Sequence, residues 1–206
     1  VGFPIDMFIS NSQNDAGRNH RVFSRMQGVK TSLYSNLTNA EETNNATSVS
    51  EFTQDGFKGG YEGDMNISGM PYTHHFFKRA PGFFDVVCYT GDSVAGRQVA
   101  HNLGVTPELV LVKVRNAAGE NWECYNASVG NTKTLRLQTT AAPATSTVWN
   151  NTSPTATYFV VGATGNFGSV NLLTSTYVAY LFATLAGISK VGSYTGNGTS
   201  QTINCG

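Results

Sequence analysis

Two neighbouring histidines, His74 and His75, have the chemistry of metal ligands or general bases. They fall in an aromatic and β-branched run, Thr73 to Phe77, that reads as a strand. Successive side chains on a strand point to opposite faces, so the two imidazoles cannot converge on one ion. His20 and His101 have no carboxylate or cysteine at ligand spacing. Asp55, Glu62 and Asp64 lie close together, but a glycosidase needs two carboxylates at a defined separation, and turn capping, or at most a calcium contact, fits them better. The glycine-rich run from Gly162 to Gly168 has the wrong spacing for a dinucleotide fingerprint and no βαβ surroundings, so it reads as a hairpin turn. No serine sits in a nucleophile elbow. Cys88, Cys124 and Cys205 are an odd number without metal-type spacing and read as free thiols. No catalytic residue, metal ligand or cofactor follows, and a non-enzymatic chain is expected.

Binding is the chemistry that the residue types offer. Trp149 lies in an Asn/Thr-rich stretch from Thr147 to Thr152, and Tyr61 lies in a glycine-rich loop. Trp122 is the third aromatic without a fixed apolar pattern around it. Exposed rings flanked by amides and hydroxyls suit saccharides, because a flat ring covers the C–H face of a sugar while amides take its hydroxyls. Trp149, Trp122 and Tyr61 are therefore the candidate glycan contacts. The other reading is that each ring seals the end of a sandwich or a neighbouring chain. Seven Asn-X-Ser/Thr sequons occur, as expected by chance where 60 of 206 residues are Asn, Ser or Thr.

The elements that would position these rings are strands. Pro4–Ile9 and Pro107–Lys113 are short apolar runs after proline, and Arg21–Ser24, Trp122–Tyr125, Phe84–Tyr89 and Tyr177–Phe182 continue the pattern. Asp55-Gly56, Gly59-Gly60, Gly165-Asn166 and Asn197-Gly198 mark turns. Only Asn39–Thr43 and Thr140–Ala144 look helical, about one turn each. Short strands at roughly ten-residue intervals predict an all-β chain of antiparallel, jelly-roll-like sandwiches. The formal net charge is zero, with 13 basic and 13 acidic residues. That balance argues against a nucleic-acid partner and a polybasic membrane patch. The longest apolar stretch is Tyr177–Ala183, far short of the roughly 20 residues of a membrane span.

The sequence also repeats itself. Tyr89-Thr90-Gly91 recurs as Tyr194-Thr195-Gly196, and Asn66, Tyr72, Phe77 and Gly82 recur at the same spacing of 105 as Asn171, Tyr177, Phe182 and Gly187. Earlier the spacing is 102: Gly17 with Gly119, Phe23 with Tyr125, Leu33 with Leu135, Phe57 with Phe159, Gly60 with Gly162. Ordered matches with small changes of offset are the signature of a duplicated unit with loop insertions. Arg79–Gly82 and Leu185–Gly187 are the best linkers. They divide the chain into a unit at 1–82 that lacks its first two strands, a whole unit at 83–187, and a segment at 188–206. That segment either begins a further unit or completes the first by pairing across. Two units from a longer array are the expectation.

Arg79-Ala80-Pro81-Gly82-Phe83-Phe84-Asp85-Val86-Val87-Cys88-Tyr89-Thr90-Gly91 resembles a recurrent segment of virion proteins of tailed bacteriophages, notably marine ones. So do the run from His101 to Lys113, the Asn39-Ala40-Glu41 element and Ser193–Gly198. The resemblance covers essentially the whole chain. It implies tandem β-rich units in a tail fibre or other appendage, located on the extracellular particle. It also implies a homo-oligomer, a trimer, with other virion proteins and host-surface polysaccharide as partners. Trimer formation would hide sheet edges. A capsid-associated head fibre or cement protein is the alternative within this class, and a glycan depolymerase on a fibre scaffold is the alternative from outside it. His74-His75 stand where the resembling repeats carry an aliphatic strand ending.

Overall fold

The computed structural model describes residues 1–61, 63–163 and 170–205. Among these there is no helix. The strands in chain order are β1 (Met7–Ser12), β2 (Arg21–Ser24), β3 (Leu33–Tyr34), β4 (Val49–Phe52), β5 (Phe57–Gly59), β6 (Tyr72–Phe77), β7 (Phe84–Thr90), β8 (Arg97–Ala100), β9 (Leu109–Val114), β10 (Glu123–Asn126), β11 (Lys133–Arg136), β12 (Ala144–Thr145), β13 (Tyr158–Val161) and β14 (Thr176–Phe182). The chain is all-β, and every pairing is antiparallel.

The first 82 residues form a four-stranded sheet in the order β3-β2-β1-β6, faced by the hairpin β4-β5. Alternation along β1 sends Phe8 to one face and Met7 and Ile9 to the other. Phe8 stacks on Phe23 at 4.6 Å and on Phe57 at 4.4 Å, and with Ile5, Val49 and Met65 these rings fill the space between sheet and hairpin. The rest of the strands build the same plan again. A six-stranded sheet, β12-β11-β10-β9-β14-β7, is faced by the pair β8-β13. Its core holds Val110, Val112, Tyr125, Tyr177, Leu181, Phe159 and Trp149.

The matched glycines explain themselves at this level. At both Gly60 and Gly162 an added Cβ would collide with a backbone carbonyl oxygen, that of Thr47 and that of Thr147. Each glycine N–H donates to the next carbonyl along, Ser48 in one case and Val148 in the other. The same close approach of two backbones is thus made twice, and only glycine permits it.

A third core lies between the two sheets. Met7, Val22 and Leu33 of the first meet Phe84, Val86, Trp122, Val178 and Tyr180 of the second, with Ile9, Phe77, Leu111 and Phe182 at the margin. Ile9 and Leu111 are repeat counterparts, as are Phe77 and Phe182, whose rings lie 5.6 Å apart. Each unit therefore presents the same face, like against like, as at an isologous interface.

One local expectation is corrected. Neither Asn39–Thr43 nor Thr140–Ala144 is helical: Glu42 bridges to Ser32, and Ala144 opens β12 against Thr134. Five residues cannot nucleate a helix on their own, and a neighbouring strand edge satisfies their backbone instead. Of the segment after Gly187, residues 190–205 join no strand.

Candidate functional site

The three aromatic candidates part company in the structure. Trp149 is 2% exposed and Trp122 1% exposed, so neither presents a face to a sugar. Both corrections have a physical cause in long-range packing. Trp149 stands edge-on to Tyr125 at 5.9 Å inside the second unit, and its indole nitrogen is buried without a hydrogen-bond partner. Trp122 crosses from the second unit into the first, stacks on Tyr180 at 6.1 Å and donates its indole N–H to the Tyr34 carbonyl at 2.8 Å. Each ring is a seal. Tyr61 is the opposite case: 68% exposed, and carried on the loop that follows β5.

That loop is held against the β1–β2 connection by charge. Asp64 is buried and accepts from the Asn19 N–H at 3.2 Å and from the Arg21 side chain at 3.2 Å, while its carbonyl takes the Ser10 hydroxyl. Asp64 is thus an internal anchor. Asn66 donates to the Gly60 carbonyl at 3.0 Å and closes the loop on itself. Gly63 sits against the Arg18 guanidinium, so close that a Cβ there would be 3.0 Å from one of its nitrogens. Glu62 lies outside the described residues, as do 164–168 of the glycine-rich run expected to form a hairpin turn.

The β1–β2 connection itself forms an open polar depression of about 340 Å³, lined among others by Asn11, Gln13, Asn14, Asp15, Arg18 and His20. Asp15 organises it. Its carboxylate accepts from the Gly17 N–H at 2.9 Å and from the Arg18 side chain at 3.0 Å. Those two donors, the backbone one first, hold its carboxyl below the usual carboxylate range. Gln13 donates to Thr73 at 2.8 Å. The depression thus gathers amides, a guanidinium, a carboxylate and the imidazole of His20 on the connection to which the Tyr61 loop is tied through Gly63 and Asp64. Sequence reasoning singled out Tyr61 and passed over Gln13, Asp15 and Arg18, although the dense Asn/Gln/Asp content of residues 11–20 was the signal for them.

Titratable groups elsewhere are structural. His74 packs among Phe8, Phe57, Tyr72 and Phe76, and its Nδ1 is buried without a partner. Burial, and then the neighbouring His75, depress its pKa. Lys113 is fully buried, donates to the Thr38 and Glu120 carbonyls, and is pushed down to about 8 by burial. The three cysteines are free thiols, and burial raises Cys124 to about 12. Among the described residues no cluster of His, Cys, Asp and Glu could hold a metal ion. No helix among them is long and apolar enough to cross a membrane.

The fold defines an all-β protein of two tandem antiparallel units packed face to face. A family model matches it twice, over residues 1–83 and 77–206, and the chain belongs to that family, described as a domain of unknown function, DUF7483. No curated protein and no solved structure matches the chain.

Proposed function

We propose that the chain is a non-enzymatic structural component of a tailed-bacteriophage virion, a tail fibre or similar appendage, whose Tyr61 end contacts host-surface polysaccharide. The observation that carries the contact is the exposed Tyr61 ring, on a loop that Gly63 and Asp64 tie to the β1–β2 connection, whose polar depression is lined by Asn11, Gln13, Asn14, Asp15, Arg18 and His20. Ring stacking with peripheral amide and ionic hydrogen bonds is the ordinary means of holding a sugar. The virion assignment is supported by the sequence resemblance and by the tandem β-rich plan. A chain of zero net charge, rich in Asn, Ser and Thr, as suits an extracellular rod, also supports it.

The test is a glycan array and ligand-observed NMR with host capsular or lipopolysaccharide fragments. Wild-type binding that disappears in Tyr61→Ala and persists in Tyr61→Trp supports the contact; absence of saccharide binding by the wild type discards it. A second reading, a head fibre or cement protein whose partners are other virion subunits, is favoured by the apolar side chains of Ile188 and Tyr194, 69% and 70% exposed. Locating the chain on the particle by electron cryo-microscopy separates appendage from capsid.

A further inference from the structure

Which sugar the depression suits is decided by Arg18. Its Nε donates to one oxygen of Asp15 at 3.0 Å, and the other Asp15 oxygen is held by the Gly17 N–H. On another side lies Gly63, where a Cβ would stand 3.0 Å from an Arg18 terminal nitrogen, so the loop that carries Tyr61 keeps a glycine against the guanidinium. The guanidinium is thus set in place by its own chain before any ligand arrives. Yet the side chain is 34% exposed, and among the described residues neither terminal nitrogen has a hydrogen-bond or ion-pair partner. What remains is the outer edge of a planar fork, whose two N–H groups match the two oxygens of a carboxylate.

The second unit shows the same chemistry completed from within. There the matching connection starts at Arg115, whose Nε and Nη2 hold both oxygens of Glu41, each at 2.9 Å. Arg18 has only its single bond to Asp15. Ser12 differs from its counterpart in the same sense. It lines the depression, and its hydroxyl is enclosed without a partner. Its counterpart Val114 is a fully buried member of the second unit's apolar core. A hydroxyl where the fold accepts valine loses its hydration and gains no internal bond. Serine side chains turn between three staggered positions, so a sugar hydroxyl seated in the depression can draw this one out and complete it.

We propose that the depression selects a carboxylate-bearing sugar, a hexuronate or similar sugar acid, whose carboxylate pairs with the outer edge of Arg18 and one of whose hydroxyls bonds to Ser12. The order of charges favours it. Arg18 lies between Asp15 and the ligand, so each carboxylate meets the cation before it meets the other anion. Asp15 and Arg18 are the only Asp, Glu, Lys or Arg side chains that line the depression. One cation therefore serves two carboxylates, and a doubly charged phosphate ester would leave a larger negative excess. The amides of Asn11, Gln13 and Asn14 face the remaining hydroxyls. This assignment rests on the saccharide reading and narrows it to one class of sugar.

Ligand-observed NMR titration of the full chain tests it with glucuronate, galacturonate, mannuronate and N-acetylneuraminate, each beside its uncharged amide, and with glucose 6-phosphate. At least one acid is expected to bind the wild type about tenfold or more tightly than its amide, the weight of one charge-assisted bond. The comparison uses the unaltered protein, so loss of fold cannot imitate it. Arg18→Gln should erase the difference and leave the amide's affinity as it was. Gly63→Ala, which sets a methyl group against the guanidinium, should reduce it. Ser12→Val, which installs the second unit's residue, should weaken acid and amide alike by several-fold. Equal binding of acid and amide by the wild type overturns the proposal and leaves saccharide binding standing. So does a preference that survives Arg18→Gln, an affinity unmoved by Ser12→Val, or a sugar phosphate bound as tightly as the acid. Binding of no saccharide at all overturns both readings. An acid preference that persists in Tyr61→Ala and vanishes in Arg18→Gln upholds this site and removes Tyr61 from it.

Discussion

The β1–β2 connection and its repeat counterpart, the β9–β10 connection, are built on the same pair of strands and have opposite fates. In the first unit the connection is open to solvent and ends in exposed His20. In the second it ends in Trp122, the counterpart of His20, which is driven into the first unit. Around Trp122 the contact is polar as well as apolar. Gly119 N–H donates to the Thr38 carbonyl, Arg115 forms a two-pronged pair with Glu41 at 2.9 Å, and Tyr180 donates to Gln27 at 2.6 Å. The counterparts of Arg115 and Glu41 are Gln13 and Pro143, so the latch exists on one side only. Two copies of one fold can share an apolar face and still differ at its margin, one loop sealing the interface and the other left exposed to solvent.

A second matched position shows how little the sign of a buried charge matters to the fold. Arg21 on β2 faces Tyr34 on β3, lies over its ring at 4.6 Å and is paired with Glu42 and Asp64. At the counterpart on β10, Glu123 faces Arg136 on β11 and accepts from Thr134 at 2.8 Å. Burial alone would raise Glu42, but its bonds from Arg21 and Tyr34 hold it below the usual range; at Glu123 burial wins and the carboxyl is raised. The position requires a compensated polar group, and either polarity satisfies it.

The contrast between the two connections can be broken by paired substitutions. Trp122→Ala should cost about 3–5 kcal/mol in chemical denaturation through the cavity it leaves, and His20→Ala less than about 0.5 kcal/mol. Equal costs would mean that the interface is not sealed from one side. Arg115→Ala leaves the 5%-exposed Glu41 carboxylate without its cation and should cost about 3 kcal/mol, against almost nothing for Gln13→Ala. Where the units are alike, the effects should converge. Gly60→Ala and Gly162→Ala each force a methyl group onto a carbonyl oxygen and should lose a similar amount, about 1–3 kcal/mol by urea titration.

The smallest expected effect concerns pH. His74 is depressed below the ordinary 6.5 in the folded chain, so the unfolded chain binds its proton first as pH falls. Stability is therefore full above about 6.5 and declines as pH drops through the folded-state value. His74→Phe should flatten the fall in melting temperature between about pH 7.5 and 5.5 without abolishing it, because His101 is depressed by burial in the second unit in the same direction. An unchanged slope would mean that His74 is already solvated.

The histidine pair also shows how far the sequence could be read. His74-His75 was legible as a strand, and the strand as a copy of Tyr177–Phe182, but not the reason for its polarity. The structure shows a difference of position: among the described residues β6 ends its sheet, whereas β14 lies between two neighbours. Tyr61 was legible as exposed because glycines isolate it from any apolar period. For Trp149 and Trp122 the same logic left two readings, a glycan contact or a seal, and burial decides for the seal, since polar neighbours in the chain say nothing about the walls that distant strands supply.

Strand periodicity, turn glycines and the duplicated order of aromatic positions are local or self-referential properties, and they determined by themselves that this chain is all-β and built twice. Which face of each sheet is covered, which loop crosses the interface and which edge stays open depend on contacts between residues far apart in the chain. Those were decided only when two sheets with the same apolar face had to exclude water together, and no window of sequence contains both sides of that contact.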